Sequence, residues 1–280
     1  NSLPKCRSGG DGAFGGCYLT NVELPKCTTI GDNVFTISES YYYGINPIED
    51  EDGLDSTPSI DLPDSITINL PECTTFGSNI FNGYKNINAT LGVESFTSSL
   101  YKKLFSSDLN SLTISLPSCT TLGTSVFYNC SCLTSINLPE CQTIENNAFT
   151  NCSSITNLQL NPSKNMGLSY VGSCAFSGCT NLTKIYLNNL KVINTCAFYG
   201  CENLTTLKNS NFESVITIYD CSVIYPSAFC GCEKLELEDK PFRNCTLIHN
   251  DAFYGCKEIT KVNFSKCYTI KDRAFIGCEG

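Results

Sequence analysis

The chain of 280 residues is 41% apolar and carries 27 acidic against 18 basic residues, for a formal net charge of −9. That apolar share belongs to a folded protein, no run of roughly 18 apolar residues offers a membrane span, and an acidic chain lacks the positive field that draws in a phosphate backbone, which excludes nucleic acid as a partner. The first residues, "NSLPKCRSGG", lack the apolar stretch of a signal peptide.

Read from the N-terminus, the chain repeats one phrase. An aromatic residue, often in the pair Ala-Phe, recurs at Phe14, Phe35, Phe81, Phe127, Phe149, Phe176, Phe198, Phe229, Phe253 and Phe275 at intervals near 22 residues. Two intervals are doubled. Ser59 splits the first, with Ile68, Leu70 and Pro71 in phase, and Phe105 splits the second, with Ile114, Leu116 and Pro117 in phase, so about twelve coils are expected. Irregular or inserted segments fall near 36–64, 82–104, 161–168, 209–220 and 238–244. The first of these holds "EDEDGLD", Glu49 to Asp55, which makes residues 1–110 the acidic part of the chain (6 basic, 14 acidic) and reads as a solvated loop.

One unit shows the local chemistry. In "LTSINLP" the apolar Leu133, Ile136 and Leu138 face inward while Thr134, Ser135 and Asn137 face out, as in a strand, and Pro139 ends it. In "NNAFTNC" a single helical or 3₁₀ turn would aim Phe149 and Cys152 at the core. Each coil buries its apolar set only against its neighbours. The expected fold is an α/β-type repeat solenoid, mostly β, a right-handed array over residues 1–280 with short strands and short helical or 3₁₀ turns. Both ends read as mid-repeat, so exposed apolar groups are expected near Leu3 and Phe275.

The segments "IENNAFTNCSSITNLQL", "VGSCAFSGCTNLTKIYL", "INTCAFYGCENLTTLKN" and "IHNDAFYGCKEITKVNF" resemble the BspA-like, or Treponema-type, leucine-rich repeats. The resemblance covers nearly the whole chain. It implies a surface or secreted protein, because members of that family are mostly of this kind, and an adhesive role, because several are linked to adhesion. The departure is Cys in the ninth position, where the family more often has Leu; Leu168 and Leu190 keep the commoner form.

The chain has 20 cysteines. Relative to the aromatic, one set lies at −8 (Cys6, Cys27, Cys73, Cys119, Cys141, Cys221, Cys245, Cys267) and another at +3 (Cys17, Cys130, Cys152, Cys179, Cys201, Cys232, Cys256, Cys278), leaving Cys132, Cys174, Cys196 and Cys230. No C-x-x-C pair exists to hold zinc. Buried thiols stacked coil on coil are one reading. Disulfides are the other: several coils carry both positions, and Cys174 and Cys196 at −2 stand where partners for Cys179 and Cys201 are otherwise missing.

A catalytic site is not expected. The single histidine, His249, occupies a turn position where other coils carry Gly31, Glu145, Asn194 or Lys271. No motif calls for a cofactor or metal. Of the N-x-S/T sequons, Asn88 is the expected acceptor because it lies in an irregular segment, whereas Asn129, Asn151, Asn181, Asn203, Asn244 and Asn263 read as tight-turn residues.

Binding residues are expected on the strand face and in the insertions. Lys184, Tyr186, Lys208 and Lys261 form a stripe on the C-terminal strands, and Tyr41, Tyr42 and Tyr43 lie in the insertion Ser38 to Ser59, tyrosine being favoured at interfaces. The expected function is a non-enzymatic, adhesin-like protein at the cell surface or secreted, engaging a host-cell or matrix protein, or a glycan. The alternative is an intracellular protein-interaction scaffold.

Overall fold

The computed structural model describes residues 2–37, 63–156, 158–160, 168–187, 190–208, 221–237, 242 and 244–279. The fold is a parallel β-solenoid, and the one helix among the described residues is Ser98–Leu104. The chain divides into two compact units, Asn1–Gly92 with Leu100–Ile114, and Val93–Ser99 with Ser115–Gly280.

Each coil runs through a strand, a bend, a two-residue strand and a turn that carries the repeat aromatic. In the N-terminal unit the first-position strands stack in the order Asn21–Glu23, Ser65–Leu70, Asn86–Leu91 and Ser111–Ser115. Ser8–Gly9, Thr29–Ile30 and Thr75–Phe76 stack beside them at the second position. In the C-terminal unit Leu133–Leu138 pairs with Leu158–Leu160, and Lys184–Tyr186 with Thr206–Lys208. Its second-position strands form two parallel stacks, from Ser95–Phe96 to Tyr170–Val171 and from Val192–Ile193 to Thr269–Ile270. Alternation sets the faces. In Ser65–Leu70 the residues Ile66, Ile68 and Leu70 are buried while Ser65 and Thr67 are exposed.

The count of about twelve coils is too high. Thr29 and Ile30 pair directly with Thr75 and Phe76, and the Phe35 and Phe81 rings stack 6.2 Å apart, so that doubled interval is one coil carrying an insertion. Ser59 lies outside the described residues. The other doubled interval does split: Asn86–Leu91 pairs with Ser65–Leu70, and Phe105 stacks on Phe81 at 5.6 Å. The segment 82–104, expected to be irregular, therefore holds a regular strand, the short strand Ser95–Phe96 and the helix.

The aromatic turn is neither helical nor 3₁₀. Its amides alternate between two kinds of partner. The N–H groups of Ala148, Thr150 and Cys152 donate to the carbonyls three residues back, while those of Asn147, Phe149 and Asn151 donate to Ser173, Ala175 and Ser177 of the next coil. Such alternation needs left-handed residues at −2 and +2 of the aromatic, here Asn147 (φ 57°) and Asn151 (φ 60°), and other coils supply Gly178 and Gly200 at +2. Half of the turn's amides are thereby spent on the neighbouring coil, which a helix would have kept for itself.

Inside, the repeat aromatics form rows. In the C-terminal unit Phe149, Phe176, Phe198, Phe229 and Phe253 stack at 5.1 to 5.3 Å with near-parallel rings. All five are fully buried, and each is worth about 1.5–3 kcal/mol by area alone. Two thiol rows flank them. At +3, Cys152, Cys179, Cys201, Cys232 and Cys256 donate from Sγ to the carbonyls of Phe127, Phe149, Phe176, Phe198 and Phe229 in the preceding coil, at 3.0 to 3.1 Å. At −8, Cys27, Cys73, Cys119, Cys141, Cys221 and Cys245 donate to the carbonyl two residues on, at 3.2 to 3.4 Å.

All twenty cysteines are thiols in this structure. The partner expected for Cys179 and Cys201 in Cys174 and Cys196 is not used. Both −2 cysteines sit at the left-handed turn position (φ 54° and 52°), and Cys179 and Cys201 turn to backbone carbonyls. Leu3 is exposed and Phe275 half-buried.

Candidate functional site

The outward side of the first-position strands is the candidate site. In the N-terminal unit the register sets Asn21 against Thr67 and Glu23 against Asn69, then Ser65, Thr67 and Asn69 against Asn86, Asn88 and Thr90. These positions are exposed or half-exposed, because the buried alternates, Ile66, Ile68, Ile87 and Ala89, take the inward side. The result is a patch of short hydroxyl and amide side chains at strand spacing, about 4.8 Å between rungs. Asn69 Nδ2 donates to Glu23 Oε2 at 2.8 Å, so part of the patch is already ordered. At its entry edge Lys85 donates to the Asp108 carboxylate, and that contact holds the Asp108 carboxyl down to about 2.

In the C-terminal unit the equivalent face runs over Thr134, Ser135 and Asn137, whose Nδ2 donates to Ser115 Oγ at 3.1 Å. Lys184 is exposed and pairs in register with Thr206, while Tyr186 pairs with Lys208. Register thus places Lys184, Tyr186 and Lys208 on two neighbouring strands. Lys261 is exposed but belongs to no named strand. Tyr41, Tyr42 and Tyr43 lie outside the described residues.

Sequence reasoning expected binding on the strand face but singled out no residue of the N-terminal patch as a binding residue. Its signal was present as the alternation in "SITINL" and "NINATL". Asn88, expected in an irregular segment, is an exposed residue in the middle of the regular strand Asn86–Leu91. Asn129 and Asn151 do take left-handed turn positions, and Asn151 Nδ2 donates to Asn129 Oδ1 at 2.9 Å. His249 is half-buried and stacks on Tyr225 with ring centroids 5.3 Å apart.

Such a surface can form hydrogen bonds with peptide amides or sugar hydroxyls over several rungs at once. Short Ser, Thr and Asn side chains lose little entropy on being held, so many weak contacts can add up. Among the described residues no helix is long and apolar enough to cross a membrane.

The model of the BspA type leucine rich repeat region, in six copies, matches residues 2–45, 59–166, 120–220 and 165–280. Among solved structures the chain is similar to a leucine-rich repeat protein from Eubacterium ventriosum, at 16% identity over 97% of this chain and 80% of that one, with a TM-score of 0.49. It is also similar to a leucine-rich repeat protein from Bacteroides ovatus, at 18% identity over 99% and 72% with a TM-score of 0.41. A third is a leucine rich cell surface protein from Faecalibacterium prausnitzii, at 19% identity over 99% and 85% with a TM-score of 0.38. None of the curated proteins compared matches it.

Proposed function

The chain belongs to the BspA-type leucine-rich repeat family, and from that premise we propose that it is a non-enzymatic binding protein, adhesin-like and displayed at the cell surface or secreted. Its partner is a host-cell or matrix protein, or a glycan borne by one. The observation that carries this reading is the in-register face of outward Ser, Thr and Asn side chains, which the core does not need. In the C-terminal unit Lys184, beside the Tyr186 and Lys208 positions, adds positive charge and favours an anionic or carbohydrate-bearing surface. The location at the surface follows the family resemblance.

The test is binding of the full chain to cultured host cells and to immobilised matrix proteins. Lys184→Glu with Lys208→Glu is expected to weaken binding about three- to fivefold at unchanged thermal stability, since exposed ionic contacts are individually weak. Deleting residues 41–55 is expected to weaken it independently. If both variants bind as the parent does, neither the Lys184 strands nor the insertion is the binding site. Twenty free thiols are compatible with either location, so an intracellular interaction scaffold stands as the second reading. Labelling of intact cells with an impermeant reagent separates the two, because a scaffold would stay unlabelled.

A further inference from the structure

Four cysteines, Cys132, Cys174, Cys196 and Cys230, stand outside the two repeat rows, and all four are partly exposed. One of them, Cys132, lies two residues from a row thiol. Cys130 fills the +3 slot of the Phe127 coil and is buried, Cys132 follows two residues later, and their Sγ atoms lie 3.3 Å apart. The Leu133 N–H donates to the Cys130 carbonyl at 3.2 Å and closes the tight turn that carries both. A disulfide needs about 2.05 Å between sulfurs, so the two have little more than ~1 Å to travel.

We propose that Cys130 and Cys132 form a dithiol site for thiol–disulfide exchange with small aliphatic disulfides. Cys132, the solvent-reached thiol, gives up its proton to solvent and attacks one sulfur of the incoming disulfide. That S–S bond breaks, and the first leaving thiolate takes up a proton. Cys130 then loses its proton and attacks the Cys132 sulfur of the mixed disulfide, expelling the second thiolate, which is protonated in turn. Two protein thiols become one disulfide, and two electrons reduce the small disulfide to two thiols.

Cys152 and Cys179, which follow Cys130 in the +3 row, differ from Cys132 in exposure. Cys152 and Cys179 are fully buried and their Sγ atoms are engaged by carbonyls. Burial also pushes the Cys152 thiol up to about 12, which leaves little thiolate to attack anything.

The probe is glutathione disulfide in excess over the reduced full-length chain at mildly alkaline pH, with acid quenching, alkylation under denaturing conditions and peptide mass mapping. The expected result is that the peptide holding Cys130 and Cys132 loses two hydrogens and escapes alkylation, at least about tenfold faster than Cys152, Cys179 or Cys201 react. Cys130→Ser should stop at a stable glutathione adduct on Cys132. Cys132→Ser, at a partly exposed position, should keep the thermal midpoint and leave Cys130 reduced. A lasting adduct on Cys132 in the parent chain, or reaction of the pair no faster than that of the row thiols, overturns the proposal.

Discussion

The two units build the same coil around a different residue three places after the aromatic. In the C-terminal unit that place is cysteine from Cys130 through Cys278, coil after coil, and most of these thiols reach the carbonyl of the preceding aromatic. In the N-terminal unit it is Cys17, Ser38, Tyr84 and Asp108. Tyr84 does the same task at longer reach, its hydroxyl donating to the Leu19 carbonyl at 2.7 Å from a fully buried position. A buried donor must find an acceptor in either case. The small thiol does it in a form that repeats, whereas the phenol does it once and fills the space around it.

Alkaline titration should separate the two units most strongly. Burial first, and neighbouring thiols second, raise Cys141 and Cys221 to about 12, burial does the same for Cys152, and Cys179, Cys232 and Cys256 also go up from 9.0. An unfolded chain releases these protons above pH 9, while the folded unit holds them. The stabilisation is therefore whole below pH 9 and is lost as the pH rises toward 12, by about 1 kcal/mol per thiol and pH unit. In the N-terminal unit Cys27, Cys73 and Tyr84 shift in the same direction, so fewer groups pull there. Brief proteolysis from about pH 8 to about pH 11 with fragment mapping should show the C-terminal unit opening first. Opening of both units at one pH would remove the thiol row as the cause.

Next in size is the aromatic row, which both units share. Phe198→Ala and Phe35→Ala each remove a fully buried ring stacked on both sides and should each cost about 3–5 kcal/mol in urea unfolding. A much smaller loss at Phe35 would mean that the units differ in their stack as well as at +3. The smallest effects sharpen the +3 comparison itself. Tyr84→Phe leaves the Leu19 carbonyl without this donor and should cost about 1–2 kcal/mol, and Cys201→Ala about 1 kcal/mol, since a thiol is the weaker donor. A Cys201→Ala loss larger than that of Tyr84→Phe would reverse that ranking.

The inward set of the solenoid was legible because strand alternation is local: Leu133, Ile136 and Leu138 are buried as the pattern in "LTSINLP" requires. The extra coil at Ser59 was misread for an identifiable reason. Ile68 and Leu70 stand in the strand of the Phe81 coil itself and Pro71 follows it, so they never testified to another. The true extra coil announces itself in "NINATL", but "LGVESF" follows where other coils have Pro and Cys, and the short strand Ser95–Phe96 hides in it. The turns were misread because a helical turn was drawn from the spacing of Phe149 and Cys152 alone, whereas Asn147 and Asn151 mark a left-handed backbone on either side of the aromatic. Lys184, Tyr186 and Lys208 were singled out because charge and aromatic character stand out in a sequence. No residue of the Ser, Thr and Asn patch was singled out for binding because such residues are common in any strand.

The sequence alone determined which residues turn inward, where the aromatic and thiol rows run and that each coil needs neighbours, since all of these follow from a period of alternating chemistry along the chain. Only the tertiary structure decided which coils are neighbours and where each buried proton goes. Cys152 and Cys232 make the same bond to the preceding aromatic carbonyl, yet their partners lie 25 and 34 residues away, and Ile30 meets Phe76 across the first insertion. Stacking fixes the distance in space, while closing a longer loop costs only about 0.6 kcal/mol per doubling of its length. Insertions can therefore lengthen the path between two coils without altering the contact, and spacing along the chain cannot reveal the pairing.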